Sequence, residues 1–252
     1  MKQVFIQFNH APYIICLREA EKITRCKQIN IKGNSSVVLS KELIGNRQQA
    51  WVEIEDDVEV ELIDIKEEIV KPNLSASNFY RQGADKYFVR HLSHLKDKPN
   101  LQFLEIGSYA GSSALGVIED ILTDKSSTIT CVDIWYSPFA EDKFNEVTEG
   151  YKEQVIKQVA WSAEWLKKNQ KKQFDFIYID GDHSAEAVKI DMELSWNILK
   201  PGGIMAIDDY NYPHPRGEKF NQKPAIDTFI TSVSAEVLEI DEQVWLKKIQ
   251  NN

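Results

Sequence analysis

The chain has 252 residues and is acidic, with 39 Asp and Glu against 30 Lys and Arg, a formal net charge of −9 and a pI of about 5.2. This length allows one large domain, or one domain with a smaller appendage, and it is sufficient to bury a sizeable core. The negative charge argues against non-specific nucleic-acid binding and against an anionic membrane surface, because both select basic proteins. We therefore expect neither nucleic acid nor membrane as a partner.

Cysteine usage and the apolar segments indicate a protein of a reducing compartment. Cys16, Cys26 and Cys131 form no Cys-x-x-Cys pair and show no metal-ligand spacing, which is typical of reduced thiols. The longest apolar run near the N-terminus, residues 11–17, is too short to span a bilayer, and no signal-peptide core follows Met1. We expect a soluble protein in the cytoplasm.

The first 72 residues are predicted to form a separate unit. Residues 4–8 alternate apolar and polar side chains, and residues 51–65 do so with a uniformly acidic polar face. This alternation is typical of β-strands, and residues 51–65 are predicted to form a strand or a hairpin. A solvated sheet face and a partner-docking surface both explain the acidic side. Residues 71–73, Lys-Pro-Asn, have the composition of a linker. We predict a small β-rich accessory domain over residues 1–72 and a second domain over residues 73–252.

In the second domain, predicted strands alternate with predicted helices. The apolar runs that predict strands are residues 101–106, 128–134, 157–160, 174–179, 204–207, 236–240 and 243–249. The last two runs are separated by only two residues, so they should form a hairpin, and residues 135–144 are predicted as a loop. This pattern predicts an α/β fold: a Rossmann-like, mostly parallel seven-stranded sheet with an antiparallel C-terminal edge hairpin, preceded by the small β-rich unit.

A glycine turn follows the first of these strands. Residues 101–113 read Leu-Gln-Phe-Leu-Glu-Ile-Gly-Ser-Tyr-Ala-Gly-Ser-Ser, so the strand stops at Gly107 and a helix begins after Gly111. Such a turn aims helix N–H groups at a polar ligand above the strand end. The dinucleotide pattern Gly-x-Gly-x-x-Gly fails at Tyr109. Glu105 would also repel a pyrophosphate, whereas it would accept hydrogen bonds from hydroxyl or ammonium groups.

Every strong strand of the predicted parallel sheet ends in an acidic residue, and ligands bind outside these strand ends. Because neighbouring strands lie about 4.8 Å apart, the carboxylates of Asp180, Asp208 and Asp209 can converge on one point. They would repel one another unless a cation held them, so we predict that these three residues bind Mg²⁺. Asp182 has a simpler explanation as a helix cap. His183 is a candidate general base, or a residue that merely packs beside the loop.

Residues 78–249 carry a family resemblance. Its motifs are Glu105-x-Gly-x-x-x-Gly111-x-Ser113, the acid Asp133 at the second strand end, Phe-Asp-Phe-Ile-Tyr-Ile-Asp-Gly-Asp-His, and Leu-Lys-Pro-Gly-Gly-Ile-Met-Ala-Ile-Asp-Asp-Tyr. Together they resemble class I S-adenosylmethionine-dependent methyltransferases. Within this class the chain is most similar to the metal-dependent O-methyltransferases of the catechol and macrocin sugar type. The first 72 residues show no comparable resemblance.

The resemblance implies two cofactors, S-adenosylmethionine and Mg²⁺, and a role for each matching position. Asp133 would bind the ribose hydroxyls, and His183 would be the general base, where catechol-type relatives place a lysine and sugar-modifying relatives a histidine. Asp180, Asp208 and Asp209 would be the Mg²⁺ ligands. The other residues assigned to the cofactor are Glu105, Gly107, Ser108, Tyr109, Gly111 and Ser113 around its methionine part, Ile134, Trp135 and Ser162 around its adenine, and Asp180.

The expected function is Mg²⁺-dependent transfer of a methyl group to a hydroxyl of a small molecule. The histidine favours a sugar or a glycosylated natural product with vicinal oxygens as substrate, and a homo-oligomer is compatible with the sequence. Two other function classes stay open. Asp180-Gly-Asp182 also fits a metal-dependent glycosyltransferase that uses an Asp-x-Asp pair for a nucleotide sugar, and the acidic N-terminal unit fits a non-catalytic scaffold that docks a partner.

Overall fold

The computed structural model describes Tyr80, residues 83–135, 138–213, 217 and 221–249, together with strand segments of the first 70 residues. The chain divides into two compact units, Met1–Asn73 and Leu74–Asn252, and the predicted boundary falls between residues 72 and 73. The predicted linker at residues 71–73 lies outside the described residues.

Regular structure in the described part of the N-terminal unit consists of β-strands. They are β1 (Lys2–Gln7), β2 (Ile14–Glu19), β3 (Lys22–Cys26), β4 (Gln28–Lys32), β5 (Gln49–Ile54), β6 (Glu59–Ile63) and β7 (Glu67–Val70). One antiparallel sheet has the order β5-β1-β2-β3-β7, and a second pairs β4 with β6. The prediction of one strand or hairpin over residues 51–65 is wrong, because β5 and β6 lie in different sheets. Alternation fixes which face a strand buries but not its partner.

The second unit alternates strands with helices. Its strands are β8 (Gln102–Ile106), β9 (Thr128–Asp133), β10 (Val155–Val159), β11 (Phe174–Ile179), β12 (Leu199–Ile207), β13 (Ala235–Ile240) and β14 (Val244–Lys248). Its α-helices are α1 (Asp85–Leu92), α2 (Ser112–Asp120), α3 (Pro138–Thr148), α4 (Ser162–Lys168), α5 (Ala185–Ile198) and α6 (Lys223–Ser232).

These strands form one seven-stranded sheet in the order β10-β9-β8-β11-β12-β14-β13. The first five are parallel to their neighbours, whereas β14 runs antiparallel to β12 and pairs with β13 in the C-terminal hairpin. This sheet confirms the predicted fold class. Because β8, β9, β11 and β12 are parallel, their carboxyl ends lie along one edge of the sheet, where such folds bind ligands.

Both faces of this sheet are covered by apolar side chains, as expected for parallel strands. In β11, Phe176 and Tyr178 face one layer, and Ile177 and Ile179 face the other. Cys131 of β9 is a buried free thiol. The central strands are therefore rigid supports for the residues that follow them.

The predicted loop at residues 135–144 is wrong from Pro138 onward. Helix α3 begins at Pro138 and buries Ala140 and Phe144 in the core. Proline is favoured in loops and also at the first position of a helix, where a backbone N–H would have no intrahelical partner. Among the described helices, none combines the length and apolar composition needed to cross a membrane.

Candidate functional site

The glycine turn between β8 and α2 contains three residues with a positive φ, Gly107, Tyr109 and Gly111. Gly107 has a φ of 85°, and its N–H donates to Val132 O of β9 at 2.9 Å. A Cβ on Gly107 would lie 2.0 Å from the backbone oxygen of Asp180, so only glycine allows the turn to approach the end of β11 so closely. Gly111, with a φ of 80°, is the N-cap of α2. The turn therefore sits directly over the neighbouring strand ends.

Three of the residues predicted around the methionine part of the cofactor are buried at this turn or next to it. Glu105, Ser108 and Ser113 are at most 3% exposed, and the Ser113 hydroxyl donates to Glu105 Oε1. Burial raises the pKa of Glu105 above its ordinary value. Their contact with a ligand stays a prediction.

Asp133 ends β9 beside the glycine turn, as predicted. Its Oδ2 accepts a hydrogen bond from the Tyr109 N–H at 2.9 Å and its Oδ1 accepts one from the Trp135 N–H at 2.6 Å. Burial raises the pKa of Asp133, although these backbone donors lower it in part. A carboxylate oxygen accepts more than one hydrogen bond, so Asp133 keeps acceptor capacity for a ligand.

The two residues after Asp133 differ in exposure. Ile134 is half-buried, whereas Trp135 is 2% exposed. The indole of Trp135 donates to Tyr109 O at 2.8 Å and packs against Phe144. Trp135 thus ties the end of β9 to the glycine turn, and its predicted place beside an adenine stays a prediction. Tyr109, in the glycine turn, is 44% exposed.

A group of potential metal ligands lies at the ends of β11 and β12. One ligand atom each of Asp180, His183 and Asp209 lies within 4.8 Å of the others. His183 Nδ1 is 2.5 Å from Asp209 Oδ2, and His183 Nε2 is 3.9 Å from Asp180 Oδ1. Burial, and then the charges of Asp208 and Asp209, raise the pKa of Asp180 well above its usual range. Asp209 has a φ of 55°, a strained conformation that is common at functional sites.

Asp208, the third predicted metal ligand, is adjacent to this group but turned toward a buried tyrosine. The Tyr178 hydroxyl donates to Asp208 Oδ2 at 2.5 Å, and the Asp209 N–H donates to Asp208 Oδ1 at 2.9 Å. Gln243 in turn donates to the Tyr178 hydroxyl at 3.3 Å. Metal ligation by Asp208 stays a prediction, and the geometry of the described residues favours Asp180, His183 and Asp209 as the nearest donors.

Asp182 is not the predicted helix cap, because the N-cap of α5 is Ser184. Its Oδ1 accepts a hydrogen bond from the Ser184 N–H at 3.0 Å, where helix α5 begins. Among the described residues, Asp182 is not part of the group of potential metal ligands.

Ser162, predicted at the adenine edge, begins helix α4 immediately beyond the end of β10. It is half-buried, and its hydroxyl donates to Asp191 Oδ2 at 3.0 Å. Asp191 belongs to α5 and is 1% exposed. Asp191 is absent from the predicted site residues, although an Asp between the core positions Val188 and Met192 of a helix is a signal that the sequence carries.

Tyr178, Tyr212 and Gln222 were also not predicted. The Tyr212 ring centre lies 5.3 Å from that of His183, and Gln222 donates to the backbone oxygens of Asp208 and Asp209 at 3.0 and 2.5 Å. Tyr178 has the appearance of a core residue in a strand, and Gln222 that of a loop residue. Their sequence positions carry no signal because only the folded chain brings them to the strand ends.

Comparison with protein families matches residues 104–210 to a family described as a methyltransferase domain. This segment runs from β8 to the residue after Asp209 and contains every predicted site residue. No curated protein matches the chain.

Several solved structures share the fold. They include an O-methyltransferase from Bacillus cereus in complex with S-adenosylhomocysteine (TM-score 0.53, 15% identity, 69% of this chain and 89% of that chain). The MycE methyltransferase of the mycinamycin biosynthetic pathway, in complex with Mg, S-adenosylhomocysteine and mycinamycin VI, has a TM-score of 0.54 and 16% identity over 71% of this chain and 53% of MycE. The N-methyltransferase NodS from Bradyrhizobium japonicum WM9, in complex with S-adenosylhomocysteine, has a TM-score of 0.51 and 15% identity over 68% of this chain and 88% of NodS.

At these identities the likeness to solved structures establishes the fold, and the family match adds the nature of the domain. Of the function classes that the sequence left open, the family match supports the methyltransferase and neither the glycosyltransferase nor the scaffold. The match of residues 104–210 to a methyltransferase domain and the seven-stranded sheet support an enzyme that is similar to the class I S-adenosylmethionine-dependent methyltransferases.

Proposed function

We propose that the enzyme transfers a methyl group from S-adenosylmethionine to a hydroxyl of a small molecule, with the help of a divalent cation such as Mg²⁺. The observation that carries this proposal is the group of Asp180, His183 and Asp209 at the same sheet edge as the glycine turn. The fold alone serves both O- and N-methylation in its relatives. Acidic ligands and an adjacent imidazole favour a hydroxyl acceptor, because a hydroxyl must lose its proton to become a good nucleophile.

The cofactor would lie over the ends of β8 and β9. The turn from Gly107 to Gly111 would wall its methionine part, and Asp133 would accept hydrogen bonds from its ribose hydroxyls. When bound, S-adenosylmethionine supplies a methyl group on a sulfonium, which needs no further activation. The enzyme's own residues therefore have to orient the acceptor in line with that methyl group and exclude water.

The donor set fits a divalent cation. The carboxylates of Asp180 and Asp209 converge beside the imidazole of His183, and carboxylate oxygens are ligands that suit hard dications such as Mg²⁺. The raised pKa of Asp180 reflects its burial beside other carboxylates, and positive charge at this point would offset that repulsion. A divalent cation held there would lower the pKa of a neighbouring substrate hydroxyl.

His183 is placed to accept the proton. The Asp209 carboxylate can only accept a hydrogen bond, so His183 Nδ1 carries the hydrogen that lies between them. This tautomer leaves a lone pair on Nε2, the atom that faces Asp180 at 3.9 Å. Nε2 is therefore the general base that takes the hydroxyl proton, and Asp209 holds the ring in position.

A neutral polyhydroxylated acceptor fits this site best, and we propose a sugar or a glycosylated natural product with vicinal oxygens. The acids at the strand ends disfavour an anionic acceptor by charge repulsion. His183 stands where sugar-modifying relatives also have histidine, and the MycE structure contains a mycinamycin. The exposed ring of Tyr212 beside His183 offers an apolar face of the kind on which a sugar ring packs.

Two measurements test the proposal. Calorimetry should detect S-adenosylhomocysteine binding, and a nucleotide sugar should not bind. Mass spectrometry of neutral glycosides, catechols and amines incubated with enzyme, S-adenosylmethionine and Mg²⁺ should show a gain of one methylene on a hydroxyl compound.

A chelator should abolish that gain, and added Mg²⁺ should restore it. Full methylation in excess chelator would remove the metal from the proposal, and methylation of amines alone would replace the hydroxyl acceptor. Absence of S-adenosylhomocysteine binding would refute the cofactor assignment itself.

A further inference from the structure

Asp191 is a buried acid outside the group of potential metal ligands. It lies on α5 between the core residues Val188 and Met192 and is 1% exposed. Burying an ionised carboxylate costs several kcal/mol unless hydrogen-bond donors compensate. The Ser162 hydroxyl provides one such donor at 3.0 Å. We therefore expect this buried acid to have a function that offsets its free-energy cost.

The position of this acid connects it to the ligand edge of the sheet. A Cβ on Gly181 would lie 3.8 Å from Asp191 Oδ2, so the carboxylate lies just beneath the turn that follows β11. Ser162 is the first residue of α4, after the end of β10. The hydrogen bond between them therefore joins two helices at the end of the sheet where ligands bind.

This hydrogen bond determines whether the Ser162 hydroxyl can donate a hydrogen bond to a ligand or accept one from it. A serine hydroxyl has one hydrogen and two acceptor lone pairs, whereas an ionised carboxylate has no hydrogen to donate. Because the Ser162 hydroxyl donates its single hydrogen to Asp191, it can only accept a hydrogen bond from a ligand. An ordinary serine can adapt to a donor or an acceptor, but Ser162 cannot.

The exocyclic amino group of adenine is a donor that matches this fixed acceptor. We propose that Asp191 is a positioning residue that holds the Ser162 hydroxyl as an acceptor for the adenine amino group, and so makes the site selective for adenine over its deaminated analogue. This inference rests on the proposed function, since it assumes that the adenine of S-adenosylmethionine reaches Ser162. Hypoxanthine carries a carbonyl oxygen in place of the amino group, which would face the lone pairs of Ser162.

The test compares S-adenosylhomocysteine with S-inosylhomocysteine, its hypoxanthine analogue, by titration calorimetry on the full chain. Wild type should bind the adenine form at least about tenfold more tightly, because a mismatched buried polar pair loses a hydrogen bond. In Asp191→Asn the amide can donate to Ser162, which frees the serine hydrogen, so the ratio of the two dissociation constants should fall toward one. Ser162→Ala should also lose the preference, because no hydroxyl is left to discriminate.

Glu193→Gln is the matched control, since it makes the same charge change on the same helix at a side chain that is 55% exposed. It should keep the wild-type ratio. If Asp191→Asn does not fold, Asp191→Leu makes the same test, because an apolar side chain of similar volume also frees the Ser162 hydrogen and leaves no unpaired buried charge.

Equal weakening of both ligands in Asp191→Asn, with the ratio unchanged, would show that Asp191 is merely structural and would overturn the inference. Wild-type preference retained in Ser162→Ala would overturn it as well. Failure of the proposed function looks different, because wild type would then bind neither ligand.

Discussion

Replacing Gly107 with alanine tests whether the close approach of the glycine turn to β11 is what builds the cofactor site. The substitution has two costs. A left-handed backbone costs an L-residue about 1–2 kcal/mol, and Gly107 has a φ of 85°. The new Cβ would also lie 2.0 Å from Asp180 O, which must retreat by more than 1 Å to reach ordinary contact at 3.4 Å. Overpacking of this kind costs about 1–3 kcal/mol.

Two other glycines separate these costs. Gly202 has a φ of 78° and nothing within 4 Å of an added Cβ, so Gly202→Ala measures the backbone cost alone. Gly111 has a φ of 80° and an added Cβ 2.9 Å from a Val147 side-chain methyl, which can yield more easily than backbone. We therefore expect losses of unfolding free energy of about 1–2 kcal/mol for Gly202→Ala and about 2–5 kcal/mol for Gly107→Ala, with Gly111→Ala between them.

Urea denaturation followed by tryptophan fluorescence measures the stability of each variant, and calorimetry measures its affinity for S-adenosylhomocysteine. Gly107→Ala should weaken binding by at least about tenfold, because a site displaced by about 1 Å loses its geometry. Gly202→Ala should bind like wild type. Equal stability and equal affinity in Gly107→Ala and Gly202→Ala would refute the argument from close approach.

Four further substitutions address the acids and the base. Asp180→Asn should abolish calorimetric Mn²⁺ binding, and undiminished affinity would remove Asp180 from the metal site. His183→Ala should keep S-adenosylhomocysteine binding but lose methyl transfer, and unchanged kinetics would leave His183 a packing residue. Tyr178→Phe removes the hydroxyl that holds Asp208 and should weaken Mn²⁺ binding by about tenfold; an unchanged dissociation constant would contradict this. Burial raises the pKa of Glu105 above 4.5, so its stabilising contribution is present below that pH and is lost as pH rises through the folded-state pKa. The unfolding free energy of wild type should therefore fall as the pH rises above about 4.5. In Glu105→Gln, which lacks the titrating group, it should fall less. Parallel curves of unfolding free energy against pH for the two proteins would exclude the effect.

The sequence was most informative where one local rule applied. Apolar runs between turn signals predicted the strands of the seven-stranded sheet, and the two-residue gap predicted the C-terminal hairpin of β13 and β14. The rule failed at Pro138, because proline is favoured both in loops and at the first position of a helix. It failed again for residues 51–65, where alternation gave the strands but not their partners.

The candidate site divides in the same way. The acids at the strand ends could be identified from the sequence, because parallel strands bring their carboxyl ends to one edge. Their orientation could not. Asp208 turns toward Tyr178, and His183 Nδ1 lies 2.5 Å from Asp209 Oδ2. Both contacts join residues that are far apart in the chain, and Asp209 has a strained backbone.

The sequence by itself determined that this is an acidic α/β protein with a glycine turn and strand-end acids typical of class I methyltransferases, because strand pattern, turn chemistry and acid placement are local properties. Only the tertiary structure decided which carboxylates converge with His183, that Glu105 is buried next to the turn, and that Asp191 holds Ser162 across 29 positions of the chain. The reason is physical: hydrogen-bond direction and burial depend on packing between elements, and packing is set by the whole fold.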